Sequence, residues 1–165
     1  MADKQSRKKP LISVNHTVAE NRRARFDYFL EEKIEAGLLL TGTEVKSLRH
    51  GLCSLSESFA VEKGGEVWLH NCYIAPYDPA GAHLQHEPRR IRKLLLHRRQ
   101  ISRLIGASKQ QGFTIVPVRL FFNGRGIAKV EIALGKGKQT HDKRETIKER
   151  DWNRSKSRVL RGGGE

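Results

Sequence analysis

Cysteine is nearly absent from this chain. It has two, Cys53 and Cys72, too few for a disulfide framework. Nothing resembling an export signal accompanies them. The opening MADKQSRKKPLISVNHT has a basic front but no apolar core behind it, so it does not read as a signal peptide. Both thiols are therefore expected to be free, packed as small apolar residues in a reducing, cytoplasmic setting. Long apolar runs are missing too. None approaches the ~20 residues that span a bilayer, which sets a membrane partner aside. Acidic residues are scarce relative to basic ones, 18 Asp and Glu against 32 Lys and Arg. The formal charge of +14 repels itself and calls for a compensating anion, with nucleic acid the leading choice.

Catalytic signatures are missing as well. There is no nucleophile elbow, metalloprotease helix or P-loop. Gly135-Lys136-Gly137-Lys138 lacks the long glycine-spaced loop that ends in Lys-Ser/Thr. His70, Cys72, His83 and His86 could be written as a zinc set, but structural zinc sites use tighter pairs. No catalytic residue, metal or cofactor is expected, and the acidic residues are interleaved with bases rather than clustered. Helix-turn-helix, zinc-finger and basic-zipper patterns are also missing.

What is present is a series of short apolar segments between turn signals. Residues 1–20 are polar and aperiodic, and read as a flexible basic arm. Arg22, Arg23 and Arg25 lead into Phe26, Tyr28, Leu30 and Ile34, whose spacing fits a strand or a helix. Glu35-Ala36-Gly37 reads as a turn before the apolar run Leu38 to Leu40, which favours a hairpin. Thr43 would cap a short helix that Gly51 stops, with Val45 and Leu48 inward and Lys46 and Arg49 outward.

Gly64-Gly65 marks a hairpin within residues 58–77. Residues 78–90 hold Pro79, Gly81 and Pro88 and read as a loop. His97 and Gln100 have capping-box-like spacing for a helix over about 97–110. Lys93 to Leu96 fits a strand or an earlier helical turn, so boundaries between 89 and 110 stay open. Phe113 to Leu134 reads as a hairpin turning at Asn123-Gly124, with Pro117 implying an edge or a bulge. Residues 136–165 carry ten Lys or Arg and five Asp or Glu, with too little apolar content for a core. A tail disordered alone and helical on a partner is expected.

These readings predict a mainly β protein. A small closed barrel of oligonucleotide-binding (OB) type, with flanking helices, would occupy residues 21–135. The basic runs give candidate nucleic-acid contacts at Arg22, Arg23, Arg25, Lys46 and Arg49, and along Arg89 to Arg103, which includes Arg92 and Lys93. That last run holds seven bases and no acid. Aromatics such as Phe26, Tyr28 and Tyr77 could stack on unpaired bases.

Three runs stand in order: GTEVKSLRHG, RKLLLHRR and GKGKQTHDKRETIKERDW. With them the chain resembles the small protein B family from about Asn21 to Leu160, most specifically at His141-Asp142-Lys143-Arg144. The resemblance implies an OB-type barrel that binds the tRNA-like end of transfer-messenger RNA and delivers it to stalled ribosomes. It implies RNA-binding positions at Asn21, Tyr28, Glu35 and Leu95. Glu35 is the odd one, since a carboxylate repels phosphate; it could accept from a guanine edge or a 2′-hydroxyl, or orient an Arg. Leu95 could equally fill the core. The resemblance also implies that the tail, Lys136 to Leu160, enters the empty messenger channel and decoding centre of the ribosome. Lys136 and Lys138 would meet ribosomal RNA phosphate, and His141 would stack on a decoding-centre base. Asp142, Lys143 and Arg144 are the essential trio; Trp152, Val159 and Leu160 are apolar contacts. No DNA partner is implied. A general single-stranded RNA binder or ribosome accessory protein is the alternative. Residues Arg161 to Glu165 fit no pattern.

Overall fold

The computed structural model describes residues 11–109 and 112–162. Residues 1–10 of the expected arm, with its Lys4, Arg7, Lys8 and Lys9, and the last three residues lie outside these. Among the described residues, nine strands and four α-helices run in the order β1 (His16–Glu20), α1 (Arg22–Asp27), β2 (Tyr28–Leu38), α2 (Gly42–Arg49), β3 (Cys53–Ser54), β4 (Phe59–Lys63), β5 (Glu66–His70), β6 (Tyr73–Ile74), β7 (Arg92–Leu95), α3 (Arg98–Ser108), β8 (Phe113–Phe122), β9 (Ala128–Gly137) and α4 (Thr140–Gly162). Seven strands share one antiparallel sheet in the order β1-β8-β4-β5-β7-β2-β9, with β8 also paired to β9. β3 and β6 form a separate two-stranded ribbon.

Two of the three expected hairpins form. In the first, Lys63 pairs with Glu66, and Gly64 and Gly65 turn with φ of +65° and +77°. Side chains resist that conformation, which is why two glycines specify the turn. In the second, Asn123 accepts from the backbone N–H groups of Arg125 and Ile127. Its first strand breaks register between Pro117 and Arg119, the bulge that a proline with no N–H imposes.

Other expectations fail for tertiary reasons. The arm is sheet from His16, pairing with Phe122 to Arg119 of β8. The hairpin expected near residue 36 is replaced by a short helix and one continuous strand of 11 residues. Glu35-Ala36-Gly37 is extended near its C-terminal end, paired on one side with β9 and at Gly37 with Leu95 of β7. Gly37 is there for closeness, because a Cβ on it would stand 3.1 Å from that of Leu95. Thr41, not Thr43, opens α2, its N–H donating to Glu44 Oε2 at 2.8 Å. The helix stops as expected at Gly51, with φ +73°.

Leu48, Leu55, Leu69, Leu94, Leu120, Phe122 and Ile132 make the centre of the core, all essentially inaccessible. At its rim lies a buried ionic cluster. Glu44 and Arg92 are both wholly buried. Arg92 Nε donates to Glu44 Oε1 at 2.8 Å, and Arg90 Nη2 to Oε2 at 2.8 Å. Arg92 also donates to the carbonyls of Cys72, Arg90 and Pro88. Arg92 is thus corrected from an RNA contact to an internal strut. Burial would push the Glu44 carboxyl up, but the Arg90 hydrogen bond, the Thr41 N–H and the two guanidinium charges outweigh it and hold it below the ordinary value.

Glu44→Gln leaves two guanidinium groups without their anion, and is expected to cost roughly 3–5 kcal/mol, read as a lower urea midpoint. Because the folded carboxyl sits below its unfolded value, its contribution is full above the unfolded value and lost as pH falls through the folded one. Urea titrations at descending pH should show that loss in the native protein and not in Glu44→Gln.

Candidate nucleic-acid interface

Alternation on β2 turns Glu35 outward while Ile34 and Ala36 point in. The neighbouring strands bring Lys93, Leu95 and Lys129 beside it, lining a groove of about 610 Å3 that Gln100 and Ile127 complete. Leu95 is 49% exposed, so it stands on the surface and not in the core. Lys129 lies 3.8 Å from Glu35, and Lys93 is bound to Glu66. The groove therefore joins two carboxylates, Glu35 and Glu66, and two lysines to an apolar floor, a mixture suited to base edges and sugars as well as phosphate. Next to it, Glu32, Lys33, Glu35, Arg99 and Arg103 surround a smaller hollow, with Arg103 paired to Glu32 at 2.9 Å. Lys129, Ile127 and Gln100 were not among the sequence candidates. The only signal for the first two was their place just after the Asn123-Gly124 turn.

A second hollow, of about 270 Å3, holds Asn21, Arg23, Tyr28 and Phe59. Asn21 is buried there. Its Oδ1 caps α1 by accepting from the Ala24 N–H, and its Nδ2 donates to the Pro117 carbonyl. Its own N–H donates to Val118, so one side chain and its backbone satisfy two carbonyls of the β8 bulge. Asn21 is corrected from a direct contact to the residue that fixes α1. With Ala24 packed inward, Arg22, Arg23 and Arg25 face out. Tyr28 is half-buried and Phe59 exposed, stacked on His70.

Lys46 is exposed, its ammonium over the Tyr77 ring. Arg49 is not available in the same way. Its guanidinium donates to the carbonyls of Ile12, Ser13 and Gly126 and lies over Phe122 at 4.1 Å. It staples the N-terminal segment to the body, a correction to its expected role. His86 bonds Thr43 and the Ile74 carbonyl through its two ring nitrogens. Among the described residues no three His, Cys, Asp or Glu gather as for a metal. Likewise, no described helix is long and apolar enough to cross a membrane.

The tail forms a helix of 23 residues. Its start is anchored. The Lys138 N–H donates to the Asp27 carbonyl, and its ammonium donates to the Arg25 carbonyl and sits over Phe29. Lys143 pairs with Asp27 at 3.0 Å, and both it and Arg150 approach the Phe26 ring. Asp142 caps the first turn by accepting from the Gln139 N–H, and its other oxygen meets His141 Nε2 at 3.0 Å. Lys136 lies at the exposed end of β9. Arg144 is exposed, as are Trp152, Val159 and Leu160. Spacings of 7, 4 and 7 place His141, Lys148, Trp152 and Val159 along one helical face.

Exposed bases on four helices, mixed polar and apolar hollows on a β body, and a projecting aromatic-bearing helix define a small basic nucleic-acid-binding protein. The chain belongs to the SmpB protein family, whose model matches residues 18–162. It is 58% identical to an SsrA-binding protein of Caulobacter vibrioides over 88% of this chain and 95% of that one. It is 54% identical to another, from Bradyrhizobium diazoefficiens, over 99% and 100%. Among solved structures it is similar to a chain described as "tmRNA-SmpB: a journey to the center of the bacterial ribosome", with TM-score 0.63, 46% identity, and coverage of 84% and 95%.

Asp27→Asn removes the charge that holds Lys143. The pair is worth about 0.5–1 kcal/mol, so amides in the first turns of α4 should exchange faster while those of the body do not. Hydrogen-exchange mass spectrometry reads both.

Proposed function

We propose that this chain is the RNA-binding adaptor of ribosome rescue. Its body binds the tRNA-like part of transfer-messenger RNA, and its tail occupies the decoding centre and messenger channel of a stalled ribosome in the cytoplasm. The observation that carries this is that the family match runs through body and tail together, to residue 162. We read the body as a closed six-stranded barrel of OB type, in which β8-β4-β5-β7-β2-β9 returns to β8. The function is positioning and mimicry, with the RNA supplying the chemistry.

In this reading the groove at Glu35, Lys93, Leu95 and Lys129 discriminates. Glu35 accepts from a base edge or a 2′-hydroxyl, Leu95 packs on a ribose or base, and Lys129 both neutralises phosphate and holds the carboxylate. Arg22, Arg23 and Arg25 grip phosphate beside Tyr28, and Lys46 adds to the same field. Asn21 contributes by keeping α1 in place. On the tail, Lys136 and Lys138 lie where body and channel meet. His141 stacks, Asp142 and Lys143 set the helix, and Arg144 reaches ribosomal RNA. Trp152, Val159 and Leu160 gain partners only on the ribosome.

A competition assay at one fixed salt concentration tests the body. Labelled tRNA-like domain is challenged with unlabelled tRNA, duplex RNA and single-stranded RNA, because phosphate-driven affinity falls steeply with salt. Only the tRNA-like domain should compete well; equal competition by all would mean a general RNA binder. Glu35→Ala should weaken tRNA-like-domain binding about tenfold or more, the ~1.5–3 kcal/mol of a charged hydrogen bond. Binding to duplex RNA should hold or rise, since Lys129 is released. Replacing Asp142, Lys143 and Arg144 together with Ala should abolish rescue in a reconstituted translation system while RNA affinity stays within about twofold, as for sites apart from the interface.

A further inference from the structure

Cys53 and Cys72 take no part in the interface. Their sulfurs lie 4.0 Å apart, Cys72 wholly buried and Cys53 partly open to solvent. The ribbon explains the encounter: Cys53 begins β3 and pairs with Ile74, while Cys72 directly precedes β6. A disulfide needs its sulfurs about 2.05 Å apart, so a closure of ~2 Å remains. Cys72 is the fixed partner, because its carbonyl accepts from Arg92 Nη1 at 2.6 Å and Arg92 is itself locked on Glu44. Cys53, at the open side, is the one free to swing.

We propose that Cys53 and Cys72 form a site of reversible oxidation, closing an intrachain disulfide when a peroxide reaches Cys53. A hydrogen bond joins the two thiols, and the nearby Arg92 charge favours a thiolate at either sulfur. The thiolate is the attacking form. Cys53, the sulfur open to solvent, gives its proton to solvent, and its thiolate attacks one peroxide oxygen. The O–O bond breaks, leaving a sulfenic acid on Cys53 and a hydroxide that solvent protonates to water. The Cys72 sulfur then attacks the Cys53 sulfur. The S–O bond breaks, and the departing hydroxide leaves as water with the Cys72 proton. Two thiols are oxidised by two electrons and one peroxide is reduced to two waters.

The ring so closed runs from Cys53 to Cys72 and contains β4, β5 and residues Ser56 to Phe59, one wall of the hollow at Tyr28. Oxidation fastens that wall, and the ring also includes Gly65 and Glu66 at the edge of the Glu35 groove. The bond restricts the unfolded chain, so the oxidised protein should show the higher urea midpoint.

The test uses the full chain, reduced, freed of reductant and exposed to equimolar hydrogen peroxide, then denatured in an alkylating agent. The expected result is an intact mass lower by two hydrogens, no alkylated cysteine, a cross-linked peptide pair containing Cys53 and Cys72, and recovery of both thiols with dithiothreitol. Cys53→Ser and Cys72→Ser should instead gain oxygen or stay unchanged. Added oxygen in the native protein without loss of the two hydrogens would overturn the proposal. So would disulfide-linked dimers, or thiols that stay reduced while free N-acetylcysteine in the same tube is consumed. The native protein carries the deciding readout, so a variant that fails to fold does not obscure it.

Discussion

Glu44 sits with no exposed surface between Arg90 and Arg92, and three otherwise separate pieces of chain meet on it. It belongs to the first turn of α2, while the arginines lie at and just before β7, and Arg92 continues to the Cys72 and Pro88 carbonyls around β6. Removing a carboxylate and a guanidinium from water is costly, and the cost is met only when every remaining donor finds an acceptor. Here Arg92 spends its donors on one carboxylate and three carbonyls. That demand fixes where α2 sits against the sheet, and with it Lys46 on the face of α2 and the start of β7, from which Lys93 and Leu95 enter the groove. The cluster specifies geometry more than it adds stability.

The surplus of positive charge is consequently of two kinds. Arg92 and Arg49 are consumed inside or at the seam of the body, Arg92 by Glu44 and three carbonyls and Arg49 by three carbonyls. Arg22, Arg23, Arg25 and Arg144, on helices, leave their guanidinium groups in water. Water-facing cations carry the long-range attraction to a polyanion, whereas satisfied ones cannot release counterions on binding. A count of bases along the chain thus overstates the charge available to RNA.

Asp27 does for the tail what Glu44 does for the body. Its side chain takes Lys143 and its carbonyl takes the Lys138 N–H, with Phe26 and Phe29 beneath the neighbouring cations. Beyond that anchor α4 has almost no contact with the body, and its aromatic and apolar side chains stay exposed. Trp152, Val159 and Leu160 stand exposed on a helix that adds nothing to the core, and in the proposed function they are where a partner binds. The family to which the chain belongs makes the ribosome the natural one.

The two hairpins, the α3 cap and the stop at Gly51 were legible in the sequence, because each depends on a few neighbouring residues: paired glycines, Asn123, the His97 and Gln100 spacing. The Pro117 bulge was legible for the same reason, as a missing N–H is a local fact. Candidate positions at Glu35, Lys93 and Leu95 were also named beforehand, two of them through the family motif. Their meeting in one groove was not legible, since only strand pairing brings residues 35, 95 and 129 side by side. Nor was the fate of Glu35-Ala36-Gly37, where pairing with two strands overrides a turn propensity. The sequence by itself determined the charge, the turns and the family. The tertiary structure alone decided which polar side chains are spent within the fold and which face water. Asn21, Arg49 and Arg92 have nothing in their local spacing to set them apart from their exposed neighbours. They differ only in the carbonyls and carboxylate that distant segments place around them.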